Sequence, residues 1–322
     1  MRGIRMTANG GPEVLEYAEL ADPTPGPDDV VVELAAAGLN YIDTYQRSGL
    51  YQVPLPYTPG LEGCGTITST GAGAAGFSVG QRVAWTAVPG SYAEQVKVPT
   101  RAAVPVPDGV PSDVAAATML QGMTAHFLAC DTFPLQPGDR CLIHAGAGGV
   151  GRILIQIAKL RGAEVFTTVG NAEKAEAVKA LGADHVILYR DTDFGAAVEA
   201  VTGPKGLDVV YDGVGKDVFD RSLELLRRRG MMVTFGNASG PVDPIAPLKL
   251  TALGSLYLTR PTLADYTATR DELERRSGEL FSWIAEGRLD IEIGLRLPLA
   301  EAAEAHRLLQ GRATSGKVLL LP

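Results

Sequence analysis

The 322-residue sequence holds only three cysteines, Cys64, Cys130 and Cys141, an odd number spread widely along the chain. That excludes a disulfide framework and a CxxC metal clip, and a reducing cytoplasm fits best. Histidine is scarce too, with four in all, and none stands at metal-ligand spacing from a cysteine. Basic residues are in deficit, 29 Lys and Arg against 37 Asp and Glu. A polyphosphate backbone would be repelled, which argues against nucleic acid as a partner. No run approaches the roughly 18 uninterrupted apolar residues of a membrane helix, and the amino terminus MRGIRMTANGGPEVL lacks the apolar core of a secretory signal. The expectation is a chain with no membrane partner and no export. With 46% hydrophobic and 20% charged residues, disorder is excluded as well.

What is present divides in two. Up to about residue 120 the chain reads as short strands punctuated by Pro and Gly, such as VVVELAAAGL, CGTITSTG, QRVAWTAV and YAEQVKVP. Beyond that, apolar runs at 140–145, 164–169, 185–188, 208–211 and 231–235 alternate with helical periods such as VGRILIQIAKLR and AEKAEAVKAL. Five such alternations, with strands apolar on both faces, predict an α/β domain with a doubly wound parallel sheet. A charged helix over 269–287, strands over 291–298 and 317–321 and an Ala-rich helix between them follow. These last strands are expected to return to the first domain, giving 1–121 completed by 262–322, with 122–261 inserted.

The strongest chemical signal is HAGAGGVG, where Gly146, Gly148 and Gly151 stand at G-x-G-x-x-G spacing between a strand and a helix. In that context the first glycine makes the turn, the second lets backbone amides approach a pyrophosphate, and the third lets helix pack on strand. A chance match of an Ala/Gly-rich turn is the bland alternative, and the surrounding alternation argues against it. At the end of the second strand, where an acid would bind the ribose of NAD, the sequence runs into Gly170 and Asn171. Lys174 stands on the next turn, so NADPH is favoured over NADH, with a solvated surface lysine as the alternative reading.

The order of parts resembles the zinc-independent NADPH:quinone oxidoreductases, ζ-crystallin-like members of the medium-chain dehydrogenase/reductase superfamily. The resemblance runs nearly end to end, through AAGLNYIDTYQRSGLY, LPYTPGLEGCG, LQGMTAH, HAGAGGVG, GADHVILYR, DVVYDGVGKD, FGNASGP and GSLYLTRP. It implies a β-rich GroES-like catalytic domain, a Rossmann domain and an active site in the cleft between them. The zinc enzymes of the superfamily have Cys where this chain has Asn40 and His where it has Leu61. Neither replacement can serve as the thiolate or imidazole ligand of Zn²⁺, so no metal is expected.

The same resemblance implies the site. Asn40, Asp43, Tyr45 and Tyr51 would form its catalytic side, with Asn40 orienting the nicotinamide or a water. Gly146, Gly148, Gly149, Val150 and Gly151 would hold the pyrophosphate. Asn171, Lys174 and Tyr189 would surround the 2′-phosphate, Phe235, Gly236 and Asn237 would follow the fifth strand as part of the cofactor site, and Leu258, Thr259 and Arg260 would reach the nicotinamide amide. Read from the residues alone, Asp43 is equally a helix cap, Cys64 a small buried residue, and His126 and His306 ordinary helix residues. Four tyrosines, Tyr41, Tyr45, Tyr51 and Tyr57, suggest a flat wall for a planar acceptor. Quinone reduction is the favoured chemistry. An enone or enoyl-thioester reductase and a non-catalytic NADPH-binding protein remain as alternatives, and homodimers are common in the family.

Overall fold

The computed structural model describes all 322 residues, Met1–Pro322. They form two compact units, Met1–Met123 with Thr267–Pro322, and Thr124–Tyr266. No helix is long and apolar enough to cross a membrane.

In the first unit β1 (Arg2–Arg5) and β2 (Glu16–Glu19) form an antiparallel pair. The long β3 (Asp29–Leu39) opens with Asp-Val-Val-Val, whose branched side chains suit a pleated surface, and Val30, Val31 and Val32 are buried. It leads into α1 (Tyr41–Ser48), after which β4 (Glu62–Thr70) returns antiparallel to β3. Then come β5 (Arg82–Thr86), β6 (Gln95–Pro99), β7 (Val104–Pro105) and α2 (Ser112–Phe127), within which the chain leaves this unit. Trp85, Ile67, Val83 and Tyr92 fill the core, and the Trp85 indole N–H donates to Ser91 Oγ at 2.9 Å, so burial leaves no orphan donor.

The second unit runs β8 (Arg140–Ile143), α3 (Gly149–Leu160), β9 (Glu164–Val169), α4 (Ala172–Ala180), β10 (His185–Leu188), α5 (Phe194–Thr202) and β11 (Leu207–Asp212), followed by α6 (Phe219–Leu225), β12 (Leu226–Thr234), α7 (Pro247–Gly254), β13 (Tyr257–Thr259) and α8 (Leu263–Tyr266). Its six strands are all parallel in the order β10-β9-β8-β11-β12-β13. The order reverses beside β8, the topological switch where such sheets bind ligands. The sequence predicts five strands here, and the structure has six. The extra strand, β13, is three half-exposed residues on the sheet edge, too short to announce itself as an apolar run.

The chain then forms α9 (Arg270–Ala285), β14 (Ile293–Pro298), α10 (Ala302–Gln310) and β15 (Lys317–Leu321). β15 lies between β14 and β3, parallel to the first and antiparallel to the second, so the sheet of the first unit reads β14-β15-β3-β4-β5-β7 with β6 also on β3. This insertion carries Lys317 from the far end of the sequence to the side of Gly38 and Glu62.

Candidate active site

In the second unit the glycine loop leaves β8 at its carboxyl end. The left-handed residue is Ala145, with φ of 55°, and none of the three motif glycines has a positive φ. The sequence assigned the turn to the first glycine, but the glycines are required for space. A Cβ on Gly146 would lie 2.0 Å from Thr167 Oγ1, and one on Gly151 would lie 2.5 Å from the Ala145 carbonyl. Gly148 is the N-cap of α3 and provides no side-chain cap, which leaves the first amides of a twelve-residue helix for an external acceptor. A pyrophosphate fits that requirement, with Gly148, Gly149 and Val150 supplying the approach.

The loop is braced from behind by His144, whose Nδ1 is 3.1 Å from Thr168 Oγ1 and whose Nε2 is 2.9 Å from Ser222 Oγ. Burial drives its pKa down to about 3, so it is a neutral fixture.

At the end of β9, Asn171 caps α4, its side chain accepting from the Lys174 backbone N–H at 2.9 Å. The Tyr189 hydroxyl lies 3.1 Å and Arg190 Nε 3.6 Å from where a Cβ on Gly170 would sit. Tyr189 and Arg190 therefore stand beside Gly170 at the end of β9, and Arg190 is a cation that sequence reasoning passed over. Its signal was the residue after Tyr189 in GADHVILYR.

Beyond β11, Asp212 accepts from the amides of Val214 and Gly215 at 2.7 and 2.8 Å, fixing the turn. Burial of this carboxyl, only partly offset by those two amides and by Arg260, raises its pKa to about 6. A Cβ on Gly236 would meet the Gly213 carbonyl at 2.4 Å, and Phe235 packs over Gly213. Arg260, expected to reach the nicotinamide, donates to Thr234 Oγ1 and the Gly236 carbonyl at 3.1 and 3.0 Å. With its amide turned to satisfy both ends, Asn237 accepts from the same guanidinium at 3.1 Å. Arg260 thus braces the loop that carries Phe235, Gly236 and Asn237, because three acceptors converge on its planar fork. Leu258 and Thr259 lie on β13 and are partly buried.

In the first unit Asn40 precedes α1 and is 3% exposed. Its amide is fully engaged. Nδ2 donates to Glu62 Oε1 at 2.6 Å, and Oδ1 accepts from Gln121 Nε2 and from Lys317 Nζ, both at 3.0 Å. Lys317 and Glu62 form a hydrogen-bonded ion pair in which both side chains are buried. Gly38 makes room, since a Cβ there would lie 2.2 Å from Glu62 and 2.7 Å from Lys317 Cε. Glu62, Lys317 and Gln121 were missed from sequence, where the pair is 255 residues apart.

Asp43 takes the helix-capping role left open by the sequence. Its Oδ2 accepts from the Asn40 backbone N–H at 2.8 Å and from the Tyr92 hydroxyl at 2.9 Å, with the side chain fully buried. Burial raises its pKa to about 7 against those two hydrogen bonds and the Lys317 charge. His306, read as an ordinary helix residue, is buried between Arg47 NH1 at 3.1 Å and the Tyr92 hydroxyl at 3.4 Å. Arg47 donates to its Nδ1, which places the imidazole proton on Nε2, and burial pushes the His306 pKa down to about 3.

The tyrosines do not make a flat wall. Tyr45 and Tyr51 meet edge to face with centroids 5.3 Å apart and planes at 62°, and Tyr41 is tilted by 41° against Tyr45. The Tyr41 hydroxyl donates to the Leu309 carbonyl and that of Tyr57 to Gln46. Cys64 is buried and its thiol pKa is pushed up to about 11 by desolvation, as suits a packing residue.

Residues 26–108 match the family described as alcohol dehydrogenase GroES-like domain, and residues 149–275 that described as zinc-binding dehydrogenase. A quinone oxidoreductase of Pseudomonas aeruginosa is 44% identical over 321 residues, 99% of each chain. A 2-haloacrylate reductase of Burkholderia is 40% identical, covering 97% of this chain and 96% of its own. The solved structure of Escherichia coli quinone oxidoreductase complexed with NADPH has a TM-score of 0.98 at 41% identity, covering 100% of both chains. The name of the second family mentions zinc, yet Asn40 and Leu61 cannot ligate it, and no group of three His, Cys, Asp or Glu side chains is placed to hold a metal ion. From these full-length identities and this donor set, the chain belongs to the quinone oxidoreductase family of the medium-chain dehydrogenases/reductases, in its zinc-independent branch.

Proposed function

We propose that the protein reduces quinones with NADPH, converting quinone, NADPH and one proton into hydroquinone and NADP⁺. The observation that carries this reading is the chemistry around Asn40, where a fully engaged Asn40 amide and an apolar Leu61 occupy positions that hold zinc ligands in the metal enzymes of the superfamily. Reducing a ketone builds an alkoxide that calls for a Lewis acid or a strong proton donor. A quinone places the added electrons on phenolate-like oxygens, which are far weaker bases and need only hydrogen bonds.

In this reading the first unit is the catalytic domain and the second the dinucleotide domain. The uncapped start of α3 holds the pyrophosphate, and Lys174, Tyr189 and Arg190 select the 2′-phosphate. Bound there, the cofactor supplies the hydride. Asn40, Asp43, Tyr45 and Tyr51 form the catalytic side, on which Tyr45 and Tyr51 offer the acceptor an aromatic contact and phenolic donors. Asp43 acts through the start of α1, by fixing the Asn40 backbone.

A second reading, reduction of an α,β-unsaturated acid, is favoured by the 2-haloacrylate reductase relative. A carboxylate substrate needs a cation, and the ammonium beside Asn40 is already neutralised by Glu62. We place the protein in the cytoplasm on its three free cysteines. We also infer a homodimer joined through β13, the unpaired edge of the parallel sheet, where Tyr257 is 58% exposed.

The test is steady-state oxidation of NADPH and NADH with 1,4-benzoquinone or 9,10-phenanthrenequinone, run beside 2-cyclohexenone and 2-chloroacrylate. Quinone turnover with NADPH preferred is expected. Faster turnover of chloroacrylate selects the second reading. Tight NADPH binding without turnover of any acceptor rejects both in favour of a binding role.

A further inference from the structure

Behind the glycine loop, two hydroxyls and an imidazole form a chain of donors whose direction is fixed at its far end. Ser222 Oγ lies 2.7 Å from the Val218 carbonyl, which can only accept, so the Ser222 hydrogen is committed there. The Ser222 oxygen must then accept from His144 Nε2, 2.9 Å away, and the neutral ring carries its proton on that nitrogen. His144 Nδ1 is left as a bare acceptor and takes the Thr168 hydroxyl hydrogen at 3.1 Å. With its hydrogen used, Thr168 Oγ1 accepts from the Ala145 backbone N–H at 3.2 Å. Each group has one orientation, and the chain begins at the one loop residue with a positive φ, Ala145 at 55°.

An alanine stays left-handed only where its surroundings hold it there. Thr168 does so twice, since its Oγ1 takes the Ala145 amide and its carbonyl accepts from the Gly146 N–H at 3.1 Å. The Ala145 carbonyl in turn accepts from the Gly148 N–H at 2.9 Å and packs against Gly151, where a Cβ would meet it at 2.5 Å. Ala145 thereby places the residues that begin α3. These are open to a ligand, Gly148 being exposed and Gly149 and Val150 half-buried.

We propose that His144, Thr168 and Ser222 are positioning residues for the dinucleotide. Their one-way relay holds Ala145 left-handed and so sets the first amides of α3 for a pyrophosphate. All three are buried and act through the Ala145 backbone. This role rests on the reading that the pyrophosphate binds at the start of α3, which Gly148→Asp tests by itself. Gly148 has the extended backbone of an N-cap, and a Cβ there would meet only the Ala145 carbonyl, at 3.2 Å. The new carboxylate would cap α3 and repel a phosphate. NADPH binding should be lost without a fall in melting temperature, and binding as in wild type would sink the reading and the relay's role with it.

The relay is tested by fluorescence titration of NADPH and NADH, with melting temperature measured beside it. Thr168→Val keeps the shape of the side chain and the backbone bond to Gly146. It should weaken both cofactors by the same factor, roughly tenfold, the size of one hydrogen bond. Thr168→Ser restores a hydroxyl and should bind as wild type does. In an Ala145→Gly background, where glycine is left-handed at no steric cost, adding Thr168→Val should weaken binding by at most about twofold. Nitrogen NMR should show His144 as the Nε2–H tautomer, its signals identified by their loss in His144→Gln. A Thr168→Val variant that melts lower yet binds both cofactors as wild type does would show that the relay serves the fold alone, and the proposal falls. It falls equally if NADPH alone is weakened, if the loss persists undiminished with Ala145→Gly, or if His144 carries its proton on Nδ1.

Discussion

Asp43 faces opposed demands, which makes its titration a sensitive probe. Burial disfavours its charge, as does Glu62. The Asn40 amide, the Tyr92 hydroxyl and Lys317 favour it, and the Tyr57 ring stands close enough to feel it. Burial wins, and the native pKa of about 7 lies above the ordinary 3.8. The folded protein therefore binds this proton more tightly than the unfolded chain. The resulting stabilisation is complete below about pH 4 and is lost as pH rises through 7. Asp43→Asn cannot titrate, so the stability of wild type minus that of the variant should be larger at pH 5 than at pH 8, by on the order of 2 kcal/mol. Urea unfolding at the two pH values checks the sign, and a difference that grows with pH would show the carboxyl to be held ionised.

Lys174 is the second residue-scale test. A charge-assisted bond to the 2′-phosphate would make Lys174→Ala cost NADPH about 1.5–3 kcal/mol of affinity and leave NADH almost untouched. Equal losses for both cofactors would mean the lysine serves only α4.

At the scale of elements, periods did most of the work that sequence can do, and the caps are seen in the structure. Thr269 and Glu272 form a reciprocal box at the start of α9, with backbone amides donating to the opposite side chain at 3.1 and 3.3 Å. Thr269→Ala should lower stability by about 1 kcal/mol without altering kcat, since α9 carries no residue of the proposed site. Equilibrium unfolding measures the first and turnover the second. The parallel strands were legible because Cys141, Leu142 and Ile143 in β8, and Val209 and Val210 in β11, are apolar on both faces. β13 was not, because three half-exposed residues carry no period. The glycine loop was legible as a motif but not as a conformation, since the positive φ falls on Ala145.

For the whole molecule, two predictions follow from the donor set and the exposed edge. Activity should survive exhaustive EDTA treatment, and specific restoration by Zn²⁺ would overturn the argument from Asn40 and Leu61. Light scattering should give the mass of a dimer, and Tyr257→Lys should shift it toward the monomer, since a lysine on an edge strand opposes strand pairing. A monomeric wild type would remove the interface.

The sequence alone determined the α/β class, the strand–turn–helix at Gly146–Gly148–Gly151, the lack of an acid after β9 and the loss of two metal ligands. The first three are written in residues adjacent or nearly so along the chain, where period and spacing are readable, and the fourth is what the family resemblance implies at Asn40 and Leu61. Only the tertiary structure decided that Lys317 stands against Glu62 and Asn40, across 255 and 277 residues, and that His306 lies between Arg47 and Tyr92. Both depend on where the last segment of the chain packs, with β15 inserted beside β3 and α10 set against α1 through Arg47. A buried lysine, glutamate or histidine looks like any surface residue in a sequence until the fold supplies the partner that lets it be buried.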